Sequence, residues 1–239
     1  MGGRDSLYLD KEMITKDILL TLTYLVGAGE LILAAYFWIN NSKSEIRRVM
    51  ALFAFSAGAW CVTSALTSYI SQTTLTLFYS SLVYSFAVLA LAFLVHLVVI
   101  YPYPFRRFDG LHSVLFYIPT GIFVIACFVR GLIFTGIQGD PSTSGIVYPG
   151  SLYNFYNSYL AILFIFAVAI VFYRRKKFDG QHKRNSTIFL WSIFFGGLPA
   201  LILDLIMPLF WPSILPNALY ANIATGIWLG ATTYIVMRK

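Results

Sequence analysis

The chain has 239 residues, of which 59% are hydrophobic and 11% charged, with mean hydropathy of +0.75. A soluble domain carries about twice that charged share, so a water-facing globule is excluded and the surface must meet something apolar. The net charge of +7 does not mark a nucleic-acid surface, because the basic residues lie between apolar runs rather than in one patch.

Seven apolar runs follow one another, at 18–39, 49–70, 75–100, 113–134, 153–173, 187–210 and 215–237. Each is long enough to cross about 30 Å of hydrocarbon as a helix. A barrel strand needs only about ten alternating residues, and these runs are continuous. The predicted fold is all-α, an integral membrane bundle of seven transmembrane helices over 18–239, with 1–17 as an extracytoplasmic N-terminal segment. Residues 1–17 are mildly acidic and the first run exceeds a signal-peptide core, so it reads as a retained span.

Lys43, Arg47, Arg48, Arg106, Arg107, Arg174, Arg175, Lys176, Lys177, Lys183, Arg184, Arg238 and Lys239 fall on one side of this arrangement. Arg4, Lys11, Lys16 and Arg130 fall on the other. Basic residues favour the cytoplasmic side, so the expected topology is N-terminus outside and C-terminus inside, in the cell membrane. Phe108-Asp109-Gly110-Leu111-His112 recurs as Phe178-Asp179-Gly180-Gln181-His182, one copy in each of two successive basic loops. Asp-Gly forms turns, so shared loop chemistry explains the pair more simply than duplication does.

Within the spans, ionisable groups are the natural candidates for function, because each is costly unless paired. Glu30 lies just past the middle of the first span and reads equally as a proton carrier, a ligand contact or a neutral acid bonded to a neighbouring helix. His96 is expected either to bond within the bundle or to snorkel toward the interface. Arg130, read as ending the fourth span, and Asp204 in the sixth share an outer depth and could pair. Tyr153, Tyr156 and Asn157 share a face of the fifth span, and Tyr220 and Asn222 open the seventh. For any one of these, interhelical bonding or an aromatic belt is the plainer explanation. Together, Arg130, Tyr153, Tyr156, Asn157, Asp204, Tyr220 and Asn222 outline an outer ligand cavity, aromatic with a few polar groups. Gly196-Gly197-Leu198-Pro199 predicts a kink in the sixth span, equally a hinge or a static bend, since proline removes a backbone bond.

Neither Cys61 nor Cys127 signals a disulfide or a zinc site, and no lysine in the seventh run offers a retinal attachment. No hydrolase, metalloprotease or nucleotide-binding motif is present, so neither an enzyme nor a cofactor is expected.

Tyr101-Pro102-Tyr103-Pro104 closes the third span, Tyr117-Ile118-Pro119 lies in the fourth, and Tyr148-Pro149-Gly150-Ser151-Leu152-Tyr153-Asn154-Phe155-Tyr156 leads into the fifth. With the broken sixth span and the final Thr233-Tyr234-Ile235-Val236-Met237-Arg238, this resembles the seven-helix N-terminal membrane sensor region of bacterial histidine kinases and related signalling proteins. The resemblance implies a receptor-like sensor of a small ligand or membrane state that signals to a cytoplasmic partner. It also implies an output domain after the seventh helix. This chain ends at Lys239, which reads either as a stand-alone sensor or as a fragment of a longer protein. A small transporter or channel, or a non-catalytic membrane assembly subunit, is the competing expectation. The lipid bilayer is the expected environment, and a small-molecule ligand, a cytoplasmic signalling protein and a second copy of the chain are the candidate partners.

Overall fold

The computed structural model describes residues 2–40, 44–70, 72–101, 110–138, 146–202 and 217–237. Its elements in chain order are α1 (Gly2–Asn40), α2 (Glu45–Thr67), α3 (Thr73–Ile100), α4 (Gly110–Phe128), β1 (Phe134–Gln138), β2 (Ile146–Pro149), α5 (Tyr153–Lys177) and α6 (Gly180–Ser192). A π-helical turn (Ile193–Gly197), α7 (Leu198–Leu201) and α8 (Asn217–Met237) complete it.

Four helical stretches are long and apolar enough to cross a membrane: Asp17–Asn40, Glu45–Thr67, Thr74–Ile100 and Tyr153–Lys177. Val114–Phe128 is apolar but shorter. On α4, Val114, Leu115, Ile118, Ile122 and Ile125 repeat at helical spacing and are all exposed. An apolar stripe of this length is untenable in water and is the expected lipid face of a membrane helix. The opposite face of α4 packs on α3, with Thr120, Ala126 and Cys127 buried.

The helices pack in a closed arrangement. α1 lies against α2 and α8, α2 against α3, α3 against α4 and α5, α5 against α6, and α6 against α8. Close approach of α1 and α2 depends on Gly58. A side chain there would meet the Gly27 carbonyl at 2.9 Å and the Glu30 Cβ at 3.1 Å, so only hydrogen fits without displacement. α5 starts at a hairpin and finishes in Arg174-Arg175-Lys176-Lys177, which gives the bundle a hairpin end and a basic end.

Among the described residues the chain is all-helical, as expected, apart from one short hairpin between α4 and α5. β1 and β2 pair antiparallel, Gly136 opposite Tyr148 and Gln138 opposite Ile146, with an irregularity between Phe134 and Gly136. Its base is tied to the start of α5 by Gly150 N–H to Ile133 C=O at 2.8 Å and Leu152 N–H to Leu132 C=O at 2.7 Å. Hydropathy extended the fourth span to residue 134, but the helix stops at Phe128. Ile133 and Phe134 are apolar because they are buried at the base of this hairpin, Phe134 against Tyr84 of α3, a burial that a hydropathy window reads as continued span. Two other boundaries shift. Residues 2–17 are helical and continuous with the first span, and the sixth element begins at Gly180 rather than at 187.

Gly180 opens α6 at φ +56°, directly after Asp179 at its N-cap position. Gly110, the glycine of the first copy of the repeated pentapeptide, is likewise the first residue of α4. In both copies the glycine is thus the first residue of a helix.

Candidate functional site

Three helices bring polar groups to one point inside the bundle. Glu30 of α1 is 3% exposed. Its Oε2 accepts from the Cys61 thiol of α2 at 3.5 Å, and its Oε1 accepts from the Thr225 hydroxyl of α8 at 3.1 Å. Thr225 also donates to the Asn222 backbone carbonyl at 2.6 Å, and the thiol lies 3.5 Å from Thr225 Oγ1 and 3.7 Å from that same carbonyl. Asn222 is fully buried, and among the described residues neither Oδ1 nor Nδ2 of its side chain has a hydrogen-bond partner. Of the readings open for Glu30, the structure places it in contact with two neighbouring helices.

A donor count defines the chemistry of this cluster. Thr225 has one hydroxyl proton and Cys61 one thiol proton, while the acceptors include two carboxylate oxygens and a backbone carbonyl. The shorter of the two hydroxyl contacts is the one to the carbonyl, so an ionised Glu30 would hold only a weak thiol bond and a shared hydroxyl. A buried carboxylate that poorly supplied is costly.

α8 reaches this cluster because the π-helical turn lets it approach α6. Gly196 faces the Ala224 carbonyl and the Trp228 Cβ, and any side chain on it would come within 2.7 Å of both. In the widened turn the Leu198 N–H bonds to Ile193 C=O, five residues back. Pro199 supplies no N–H at the next position, the missing bond from which the sequence predicts a kink. The structure accommodates it as a π turn inside a continuous helical path, with Ile202 still at φ −63° and ψ −47°.

At the hairpin end, α5 carries the aromatic face that the sequence predicts. Tyr156 is 1% exposed and donates its hydroxyl to the Tyr84 carbonyl of α3 at 2.6 Å. Its ring lies 5.5 Å from Tyr84 and 5.7 Å from Phe123, and Tyr153 sits 6.4 Å from Tyr84. Asn157 is buried, and its Nδ2 has no partner among the described residues. Tyr153, Tyr156 and Asn157 therefore share a face against α3 and α4, whereas Asn222 belongs to the Glu30 cluster with α1 and α2. Arg130 sits in the turn after α4 with its side chain exposed, not within the span. Asp204 lies outside the described residues, as does the side chain of Tyr220, so the expected Arg130–Asp204 pair does too.

The basic end holds two groups whose position sequence reasoning missed. Arg174, counted from sequence among the loop cations, is 5% exposed. Its Nη1 donates to the carbonyls of Val98, at 2.8 Å, and Tyr101, and its Nη2 to Val99 at 2.8 Å. One guanidinium thus caps the carbonyl end of α3, where a cation also complements the helix dipole. Asn185 of α6 donates to the Tyr101 hydroxyl at 3.3 Å. A cavity of about 20 Å³, room for roughly one water, is lined by Leu97, Tyr101, Arg174, Ser186, Phe189 and Thr232. The signal for Arg174 was its helical register, three turns beyond Leu163 and two beyond Ala167 on the buried face. Nearby, His96 Nδ1 is 2.7 Å from the Tyr117 hydroxyl, and its Nε2 faces Glu45 Oε1 at 3.6 Å. The expected bonding of His96 within the bundle is what the structure shows.

Apolar helices with lipid-suited exposed faces, joined internally by sparse polar clusters, define a helical membrane protein. Residues 22–233 match the family described as the N-terminal 7TM region of histidine kinase, and the chain belongs to that family. Comparison with curated proteins gave no match. The family's seven-helix region is a sensory membrane domain that signals onward.

Proposed function

We propose that the chain is a seven-span receptor-like sensor, N-terminus outside and C-terminus cytoplasmic, that converts a ligand or membrane state into a displacement of α8 read by a cytoplasmic partner. The observation that carries this reading is the position of α8. It is bonded through Thr225 to Glu30, packed through Trp228 on the glycines of the π turn, and borders the Arg174 cavity through Thr232. One helix thus meets α1, α2 and α6 and continues toward the basic end. Movement at any of these contacts biases its position, and a ligand does so by its difference in affinity between two positions.

In this reading the hairpin lies outside, and the ligand site is in the outer half. Tyr153, Tyr156 and Asn157 supply one wall, with Arg130, Asp204 and Tyr220 as further contacts, while Asn222 stays with the Glu30 cluster. The buried Asn157 Nδ2, without a partner among the described residues and beside an aromatic cluster, supports it, since ligand sites are mainly apolar with a few placed polar groups. The test is a ligand screen on the purified chain in lipid, scored by thermal stabilisation and, in parallel, by flux across proteoliposomes. A stabilising compound whose effect falls in Tyr156→Phe and Asn157→Ala supports the sensor. Flux without such a compound favours the transporter.

A further inference from the structure

We propose that Glu30, Cys61, Asn222 and Thr225 form a binding site for a small monovalent cation, a proton or a sodium ion, which neutralises Glu30 and ties α8 to α1 and α2. Three observations lead there. The first is charge. Glu30 is buried in the middle of a span, and no cationic side chain lies within ion-pair distance of it among the described residues. The nearest charged residues along the packed helices are Asp17 on α1, 13 positions from Glu30, and Arg48 on α2, 13 positions from Cys61. Each is about 20 Å away along its helix. The described part of α8 brings no charged residue at all. Among the described residues, the titratable group facing the carboxyl from another helix is the Cys61 thiol.

The second is the shortfall of donors derived above. A proton on Glu30 Oε1 would close the network in one direction. Glu30 would donate to Thr225, Thr225 to the Asn222 carbonyl, and Cys61 to Glu30 Oε2, leaving each group satisfied. The third is the geometry of the oxygens. Glu30 Oε1, Thr225 Oγ1 and the Asn222 backbone carbonyl are spaced at 3.1 and 2.6 Å, and the side chain of the same Asn222 is wholly buried with neither polar atom partnered among the described residues. A carboxylate, a hydroxyl and carbonyls are the oxygen donors that hard cations take. A bound water would meet the hydrogen-bonding need but not the charge. Ionisable groups inside a membrane commonly mark ion or proton sites for this reason.

The site does not depend on what the domain senses, and its test reads binding rather than signalling. The purified full chain in lipid nanodiscs is melted in mildly acidic and mildly alkaline buffers, with sodium chloride or choline chloride at equal ionic strength. If sodium is the occupant, sodium raises the unfolding temperature of the wild type in alkaline buffer and choline does not. If the occupant is a proton, acidification raises it in either salt. Glu30→Gln, neutral and nearly isosteric, loses the response in both cases. Thr225→Val weakens sodium, or displaces the pH midpoint, by at least about tenfold, as loss of a supporting group does at metal sites, while Thr225→Ser retains the response. A wild type indifferent to sodium and to pH overturns the proposal. So does a Glu30→Gln protein that keeps the wild-type response. Should Glu30→Gln not fold, the contrast between Thr225→Val and Thr225→Ser decides, and equal responses from the two overturn it.

Discussion

Arg174→Met removes a cation from the end of the bundle and three hydrogen bonds from the end of α3. The carbonyls of Val98 and Val99 belong to buried residues, and Tyr101 is half-buried, so water reaches them poorly. Each carbonyl left unpaired costs about 1–3 kcal/mol. Against this stands the return of the guanidinium to water, worth several kcal/mol, and the admission of about one water beside the vacated position. The net expectation is a loss of about 3 kcal/mol. Methionine approximates the length and apolar stem of arginine, so packing accounts for little of the change. Arg174→Lys should recover less than half of the loss, because an ammonium is a point donor and cannot span three carbonyls as the planar fork does. The assay is denaturant unfolding in mixed micelles, followed by tryptophan fluorescence, with wild type, Met and Lys compared. A Met variant within about 1 kcal/mol of wild type would refute the cap. So would a Lys variant equal to wild type, which would reduce Arg174 to a surface cation like its neighbours.

Gly58→Ala should cost about 1–3 kcal/mol by overpacking, because its new methyl meets the Gly27 backbone, whereas Gly29→Ala, with nothing within 4 Å, should be neutral or slightly stabilising; thermal melts of the two settle it. Tyr156→Phe should lose about 0.5–1.5 kcal/mol through its hydroxyl bond to the Tyr84 carbonyl, with an unchanged circular dichroism spectrum, and an unaltered melting point would count against that bond. The proposed topology requires that a cysteine at Ser142 in intact cells react with an impermeant maleimide and that one at Gln181 not react; the opposite pattern reverses the orientation. If Arg130 and Asp204 pair, Asp204→Asn should destabilise and Arg130→Gln added to it should recover part of the loss; strictly additive losses would dissolve the pair.

The helices were legible because hydropathy over twenty residues is a strong signal and a membrane leaves few alternatives to helix. What hydropathy cannot register is which solvent an apolar residue escapes. Ile133 and Phe134 look like the end of a span but are buried at the base of a hairpin. Phe134–Gln138 and Ile146–Pro149 are too short for any window that finds spans. The broken sixth helix was legible from Pro199, but its form was not, since a kink and a π turn both answer the missing N–H.

Polar residues followed the same division. Tyr153, Tyr156 and Asn157 could be grouped from helical register, because one helix carries all three. Grouping across helices by depth alone was less secure. It set Asn222 beside Tyr156, while the packing of α8 on α1 and α2 sets it beside Glu30 and Cys61. Depth constrains one coordinate of a membrane residue and rotation about the helix axis constrains a second, but the order of helices around the bundle is a third. Arg174 shows the complementary error. Its place in a run of four cations marked it as topological, yet a register continuing the buried face of α5 turns it inward onto α3. A cation at a helix end that also falls on the helix's buried stripe is therefore better read as a cap than as a loop charge.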